Sequence, residues 1–523
     1  MVRPLIQETA TGHTPELLVE NLRGLPGLVL LRTGSFDSPA ARYSFVTVNP
    51  SLVFRSFGSR CELSRPGTPD ARPRIQFGNP WLILDALLAR CELLDEIDLP
   101  FPLGGCFGYW GYDLKNFVEP KLPRRAINDL ELPDCHVGFY DSLVVFDHHL
   151  GKTFVISTGL AADGSRSEKR AGEQIKFWQN ALCEGARNKE QGASEDQTIP
   201  IACSIILPPS FNFLSAVERA QGYIQAGDIY QVNLSQRLAV QLPRWGEAPD
   251  EPPHFSVGTA RGYARPTGIS GWELFQRLAA VSPAPFSAFL DCDDFQLASS
   301  SPELFLRLSG SHILTRPIKG TRPRHTDPTR DAQLAYELQS SPKELAELVM
   351  ITDLLRNDLG KVCEFGSVQT PELARLEKFA QVQHLVSTVE GRLRRDVTHL
   401  AALAAGFPGG SITGAPKFRA MEIIDELEPL ARGPYTGALG YLGFNRESQL
   451  SIIIRTAICR GRMAYFQVGA GIVADSHPEA EYEETLAKAA GFLAALKCQS
   501  KSEKGLSMME RTRRRIENRS RTS

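Results

Sequence analysis

The run "TRPIKGTRPR" at residues 315–324 places Lys319 between a short apolar, strand-like stretch and a glycine. Arginines at 316, 322 and 324 stand on both sides of it. Like charges close to an ammonium disfavour the protonated form. A lysine discouraged from holding its proton can act as a nucleophile. The competing reading is a solvated basic loop, the usual fate of a charge run. The surrounding sequence has to choose between the two.

Immediately upstream, "ASSSPELFLRL" (298–308) carries Glu303 after a proline, seven residues before the lysine run begins. A carboxyl close to a suspected nucleophile is a candidate general acid or base. Downstream, "SSPKELAELVMITDLLRNDLG" (340–360) opens with Ser341 and Pro342, a helix start. Glu344 and Glu347 then fall on one helical face. A second acidic helix is expected in "DSHPEAEYEETLAKAAGFLAAL" (475–496). Ser476 and Glu479 have the spacing of a capping box, and Glu481, Glu484 and Lys488 share a face. Carboxylates from two helices suit Mg²⁺, which takes one or two of them and keeps waters; two solvated acidic faces are the alternative. In "FPGGSITGAPKFRAMEIIDEL" (407–427), glycines lead into Ala415-Pro416 and a helix N-terminus, where N–H groups and the helix dipole favour an anion.

The chain has 523 residues, 42% of them hydrophobic and 23% charged, with a net charge of −2. These values describe an ordinary globular protein and give no global field for nucleic acid or an anionic membrane. Ten cysteines without a C-x-x-C pair fit reduced thiols in a cytoplasmic compartment. No secretory leader or membrane span is evident. Strands are expected in 28–56, 136–147 and 152–158. The organisation reads as an N-terminal region (1–160), a polar linker with a helix (161–208) and a catalytic region (209–498). The latter carries a Pro- and Gly-rich insertion at 244–268, and a basic tail follows at 499–523.

Two other motifs point elsewhere. "GGCFG" (104–108) matches a glutamine amidotransferase nucleophile elbow and "HPE" (477–479) half of that family's triad. An elbow needs a helix directly after the cysteine, whereas "FGYWGYDL" follows Cys106, so the match is rejected. "VGAGIV" (468–473) lacks the third glycine and downstream acid of a dinucleotide site.

Taken together, the segments have a known shape. The carrying runs are "GDIYQVNLSQR" (227–237), "SPAPFSAFL" (282–290), "SSSPELF", "RPIKGTRPR", "ELVMITDLLRNDLG", "VQHLVSTVEG" (382–391), "GGSITGAPK", "GPYTGALGYLGF" (433–444), "IIIRTA" (452–457), "VGAGIV" and "HPEAEYEET". In these the chain resembles the chorismate-utilising enzymes: component I of anthranilate synthase and of aminodeoxychorismate synthase, and the isochorismate and salicylate synthases. The resemblance implies an α+β fold, a large antiparallel β-sandwich core with surrounding helices. It implies Mg²⁺ on Glu347 and Glu484, with Glu344 and Glu481 in support. Tyr435, Arg455 and Lys488 correspond to groups that bind substrate carboxylates. Gly469 and Gly471 lie against the substrate, and His384, Ser411 and Thr413 match positions around the reacting ring.

The lysine singles out a branch. Anthranilate synthases generally carry alanine where Lys319 stands, and aminodeoxychorismate synthases read "PIKGT". In the latter the lysine is thought to add to C2 of chorismate as the C4 hydroxyl leaves, with Glu303 assisting, before ammonia attacks C4. The resemblance therefore implies an aminodeoxychorismate synthase component I that takes ammonia from a separate glutamine amidotransferase subunit. The alternatives are an anthranilate synthase component I and a non-catalytic tryptophan-binding regulatory subunit. The last rests on "RTGSFDSPAARYSF" (32–45), which resembles the family's effector pocket.

Overall fold

The structure, a computed structural model, describes residues 3–33, 42–66, 72–93, 99–161, 163–184, 205–206, 212–242, 269–378 and 382–496. The 244–268 insertion, the 499–523 tail and much of the 161–208 linker lie outside the described residues. Within the linker, the expected helix spans Glu168–Glu184.

Two antiparallel sheets, each of twelve strands, form the core, and the α+β sandwich expected from the resemblance is the architecture found. The first sheet runs from Leu5–Thr9 through Lys152–Ser157, Ser142–Asp147, Tyr43–Thr47 and Val29–Arg32. It continues through Phe286–Asp291, Gln296–Ser301, Thr456–Arg460 and Met463–Ile472 to Gln231–Gln241. The second begins with Ile318–Pro323 and Val382–Arg392. It passes through His312–Arg316, Leu304–Ser309, Glu447–Ile452 and Ala438–Gly443 to Gly105–Trp110, Cys135–Tyr140 and Leu52–Phe57.

Strand periodicity explains the long apolar runs. Val29, Phe45 and Val145 point into the core shared with Phe54, Phe107 and Tyr441 of the second sheet. Their neighbours Leu30, Val46 and Val144 point the other way, onto a helical layer. Side chains alternate across a strand, so a sheet covered on both faces reads as continuous hydrophobicity. The helical layer includes Trp178, Phe275 and Phe492, the last stacked on Phe466 with ring centroids 4.4 Å apart. Among the described residues no helix is long and apolar enough to cross a membrane.

Strands from 1–160 enter both sheets. Val29–Arg32 pairs with Phe286–Asp291, and Gly105–Trp110 pairs with Ala438–Gly443. At the second seam Gly108 faces Gly440. Both have positive φ (154° and 155°), and a Cβ on either would collide with a backbone carbonyl oxygen of the next strand, that of His136 or Gln449. Gly108→Ala is expected to lower stability by about 3 kcal/mol or more, the sum of backbone strain and overpacking. Urea unfolding checks this; a loss below 1 kcal/mol would show that the seam yields.

Candidate active site

At one end of the sandwich a cavity of about 610 Å³ opens between the two sheets and two helices. Its walls come from distant segments: the strands Gln231–Gln241, Ile318–Pro323, Val382–Arg392 and Met463–Ile472, and the helices Pro342–Gly360 and Pro478–Leu496. Lys319, Glu303, His384, Ser411, Tyr435, Arg455, Gly469, Gly471, Lys488, Glu344, Glu347, Glu481 and Glu484 all line it.

Lys319 owes its direction to Gly320. The pairing of Ile318–Pro323 with Val382–Arg392 slips there, with Lys319 opposite Leu385 but Thr321 opposite His384. Gly320 has φ +68°, and a Cβ on it would lie 2.6 Å from Leu338 Cδ1 and 3.0 Å from Glu344 Oε2. Such a bulge re-aims neighbouring side chains. Lys319 Nζ comes 3.4 Å from Glu347 Oε2. The expected crowding by like charges is not what the fold builds. Arg316 pairs with Glu377, Arg322 with Glu344 at 3.5 Å and Arg324 with Asp331 at 2.9 Å. Each cation of the run has an acidic partner brought from elsewhere in the chain.

The Pro342–Gly360 helix starts as its sequence suggests. Ser341 Oγ accepts from Glu344 N at 3.4 Å, and Pro342 occupies the first turn, which leaves Glu344 and Glu347 facing the cavity. Opposite, Ser476 Oγ donates to Glu481 at 2.6 Å and accepts from Val473 N at 3.0 Å. Its partner is thus Glu481, not Glu479. Burial is the main reason the Glu481 carboxyl is raised, with Glu484 adding to it. For Glu484 burial works upward too, but the Lys488 ammonium, with Lys319 and Lys343 behind it, holds the carboxylate below its usual range. Lys488 Nζ donates to Glu484 Oε1 at 2.7 Å and to Gly469 O at 2.8 Å. The expected metal ligand Glu484 and the expected carboxylate binder Lys488 therefore hold each other here.

Among the described residues no three His, Cys, Asp or Glu side chains lie close enough to cage a metal by themselves. Mg²⁺ does not require it, since one or two carboxylates with waters and substrate oxygens suffice. Hard oxygen donors from two facing helices fit that ion. So does the charge balance: Lys319, Arg322, Lys343, Arg455 and Lys488 oppose Glu303, Glu344, Glu347, Glu481 and Glu484. A multiply anionic ligand entering so even a distribution needs a cation with it.

Glu303 is 7% exposed. Burial pushes its carboxyl up to about 7 against the Ser411 hydroxyl bond and the Lys319 and Lys488 charges. His384 Nδ1 lies 2.9 Å from Thr321 Oγ1 and 3.3 Å from Gly320 O. Burial is the main cause that lowers it to about 4, so the ring is neutral at pH 7. Tyr435 is buried, its phenol raised chiefly by burial. A Cβ on Gly469 would lie 2.9 Å from the Tyr435 hydroxyl, and one on Gly471 would lie 3.5 Å from Lys319 Nζ. Arg455 is held at φ +51°, a conformation that costs a non-glycine residue and collects at functional sites.

Three expectations do not meet at this cavity. Thr413 is fully buried, and its hydroxyl donates to Gly409 O (3.0 Å) and Gly410 O (3.3 Å), so it shapes the turn beneath Ser411. Ala415 and Pro416 face a second cavity, on the surface, so the helix N-terminus expected to hold an anion does not point at Lys319. The effector-pocket resemblance leaves, between Arg32, Tyr43, Phe286 and Tyr441, about 30 Å³, the volume of about one water; residues 34–41 lie outside the described residues. Cys106 is sealed in the middle of the second sheet, its thiol pushed well up by burial. Lys343 was not anticipated. It precedes Glu347 by four residues, the spacing that brings helix side chains together, and that spacing was the available signal.

Two antiparallel sheets closed over a cavity of opposed lysines, arginines and carboxylates define an enzyme site for a small anionic substrate. The chorismate binding enzyme family matches residues 36–250 and 254–494, and the chain belongs to that family. It is 37% identical over 494 residues to anthranilate synthase component 1 of Acetivibrio thermocellus, covering 93% of each chain. It is equally 37% identical over 476 residues to aminodeoxychorismate synthase component 1 of Klebsiella aerogenes, covering 89% of this chain and 93% of that one. The crystal structure of anthranilate synthase component I from Streptococcus pneumoniae superposes with a TM-score of 0.70 at 30% identity, covering 93% of this chain and 99% of that one. The protein is a chorismate-utilising enzyme.

Glu303 also marks stability. Its folded pKa, about 7, lies above the ordinary 4.5. Its contribution is therefore complete below pH 4.5 and is lost as pH rises through 7. Relative to Glu303→Gln, the native chain is expected to lose up to about 3 kcal/mol between pH 5 and 8. Unfolding curves of both proteins across that range measure it; parallel curves would mean the carboxyl ionises freely.

Proposed function

We propose that this enzyme is an aminodeoxychorismate synthase component I, converting chorismate and ammonia to 4-amino-4-deoxychorismate. The observation that carries the reading is the Lys319 amine, aimed by the Gly320 bulge into the cavity that also holds a carboxyl poised near 7. In the first half-reaction the free amine of Lys319 adds to C2. The ring double bonds shift, and the C4–O bond breaks as Glu303 delivers its proton to the departing hydroxyl, which leaves as water. In the second, ammonia adds to C4, the double bonds shift back and the C2–N bond breaks, returning the amine. Arg455 and Tyr435 are placed to hold the carboxylates, and neutral His384 lies against the ring. The glycines at 469 and 471 allow the ring to approach the strand. Glu347 and Glu484 would hold Mg²⁺, whose charge, when bound, steadies the ring carboxylate. Both must exchange a lysine partner for it.

The relatives' names, component 1, support a partner, and we assign it as a glutamine amidotransferase, since this chain's only elbow-like cysteine is sealed in a sheet. The second reading, anthranilate synthase, is favoured by relatives of that kind at equal identity. Without a lysine at C2, ammonia adds there directly.

Product analysis with chorismate, Mg²⁺ and ammonium decides between them. The expected product is 4-amino-4-deoxychorismate; fluorescent anthranilate would support the second reading. Lys319→Ala is expected to lose 4-amination on the order of 10²-fold or more, and Lys319→Arg to fare no better because guanidinium stays charged. With ammonia withheld, intact-mass spectrometry should find an adduct on the 315–324 peptide. Full 4-amination by Lys319→Ala would rule out covalent catalysis. For the metal, Glu484→Gln is expected to weaken Mg²⁺ binding at least about 10-fold by calorimetry, and an unchanged isotherm would remove Glu484 from the site.

A further inference from the structure

Two buried amide oxygens beside the cavity have no partner among the described residues: Gln231 Oε1 and Asn233 Oδ1. Gln231 is 2% exposed. The residues are two apart on the Gln231–Gln241 strand, so their side chains share a face, and that strand pairs with Met463–Ile472, Asn233 opposite Gly471. The Gln231 amide lies against Gly471, with Nε2 2.5 Å from where a Cβ would stand and Lys319 Nζ 3.5 Å from the same point. Asn233 Oδ1 lies 2.8 Å from the corresponding point on Gly469, beside the Tyr435 hydroxyl. A buried acceptor without a donor is costly, and functional sites are where such groups persist.

We propose that Gln231 and Asn233 bind the ammonia that the reaction consumes. This rests on the reading of the chain as an ammonia-using synthase. Neighbours two apart on a strand stand about 6.6 Å from each other, a gap that one ammonia spans with two N–H donors at about 3 Å each. Its lone pair stays free for attack. Chorismate's carboxylates, which only accept, are kept away from the same oxygens.

The back of this wall supplies an entrance. Gln231 pairs in register with Ala415. Tyr230, Leu354, Ala415 and Pro416 line the second cavity, about 550 Å³, on the surface. Leu354 also packs on Gly410, 2.5 Å from where its Cβ would be, and the next residue, Ser411, faces the main cavity. One strand and one turn separate the two spaces, and ammonia released at the surface cavity crosses there.

Gln231→Met and Asn233→Leu are each expected to raise the KM for ammonium about 10-fold, while the chorismate Kd, measured by calorimetry without ammonium, stays within about 2-fold. An unchanged ammonium KM in both variants overturns the proposal. So does loss of chorismate binding in both, which would assign the amides to the substrate or the fold. For the entrance, Asp353→Cys on the rim of the surface cavity is coupled to a bulky maleimide, with the unsubstituted chain treated alike as control for native thiols. In the complex with its glutaminase subunit, glutamine-dependent turnover is expected to fall at least 10-fold while ammonium-dependent turnover persists. Equal glutamine-dependent rates would place the entrance elsewhere. The identity of the product is read in the same assays: anthranilate would overturn the assignment of the reaction and leave the ammonia KM as the test of the pocket.

Discussion

Charge balance in a confined space governs this protein. Ten ionisable side chains of opposite sign face one cavity, and opposite charges there attract far more strongly than they would in water. None can be placed without its counterpart. Glu347 holds Lys319, Glu484 holds Lys488 and Glu344 holds Arg322. Glu303 stands apart, with no ion-pair partner within contact and a carboxyl that burial keeps near neutrality's edge. The site is thus a stored set of ion pairs that substrate and metal rearrange, and its one poised acid is the group kept out of the pairing.

Holding these pairs in register requires rigid supports from distant parts of the chain. The two sheets supply them because strands of the first 160 residues are built into both. Gly108 and Gly440 let the second sheet close across its seam, and Gly320 lets an edge strand bend one lysine inward. The buried Lys417 ammonium reaches Asp358 and the carbonyls of Gly406 and Pro408, tying the end of one acidic helix to the turn that carries Ser411.

Much of this could be read in the sequence, for local reasons. Apolar runs at 136–147 and 152–158 mark strands because both faces are covered. Spacings of three and four put Glu344 with Glu347, and Glu481 with Glu484 and Lys488, on single faces. The order of the motifs carried the fold class and most of the cavity lining. What stayed hidden depends on partners far away in the chain. The arginines around Lys319 look repulsive in a row, and only folding brings Glu377, Glu344 and Asp331 to them. Thr413 sits in a motif with Ser411 but turns its hydroxyl into the backbone. The partnerless oxygens of Gln231 and Asn233 have no signature in one dimension at all.

The pairing of Gln231–Gln241 with Met463–Ile472 has a consequence for how the protein is born. On a ribosome, the earlier strand emerges more than two hundred residues before its main neighbour exists. Until then, a buried strand rich in Val and Leu has an open flank, the condition under which nascent chains stick to one another. Closure of the sheet, completion of the cavity and docking of the last helix become one late event near the end of translation. A chain interrupted before residue 463 has no partial activity to offer and depends on chaperones to keep it from aggregating.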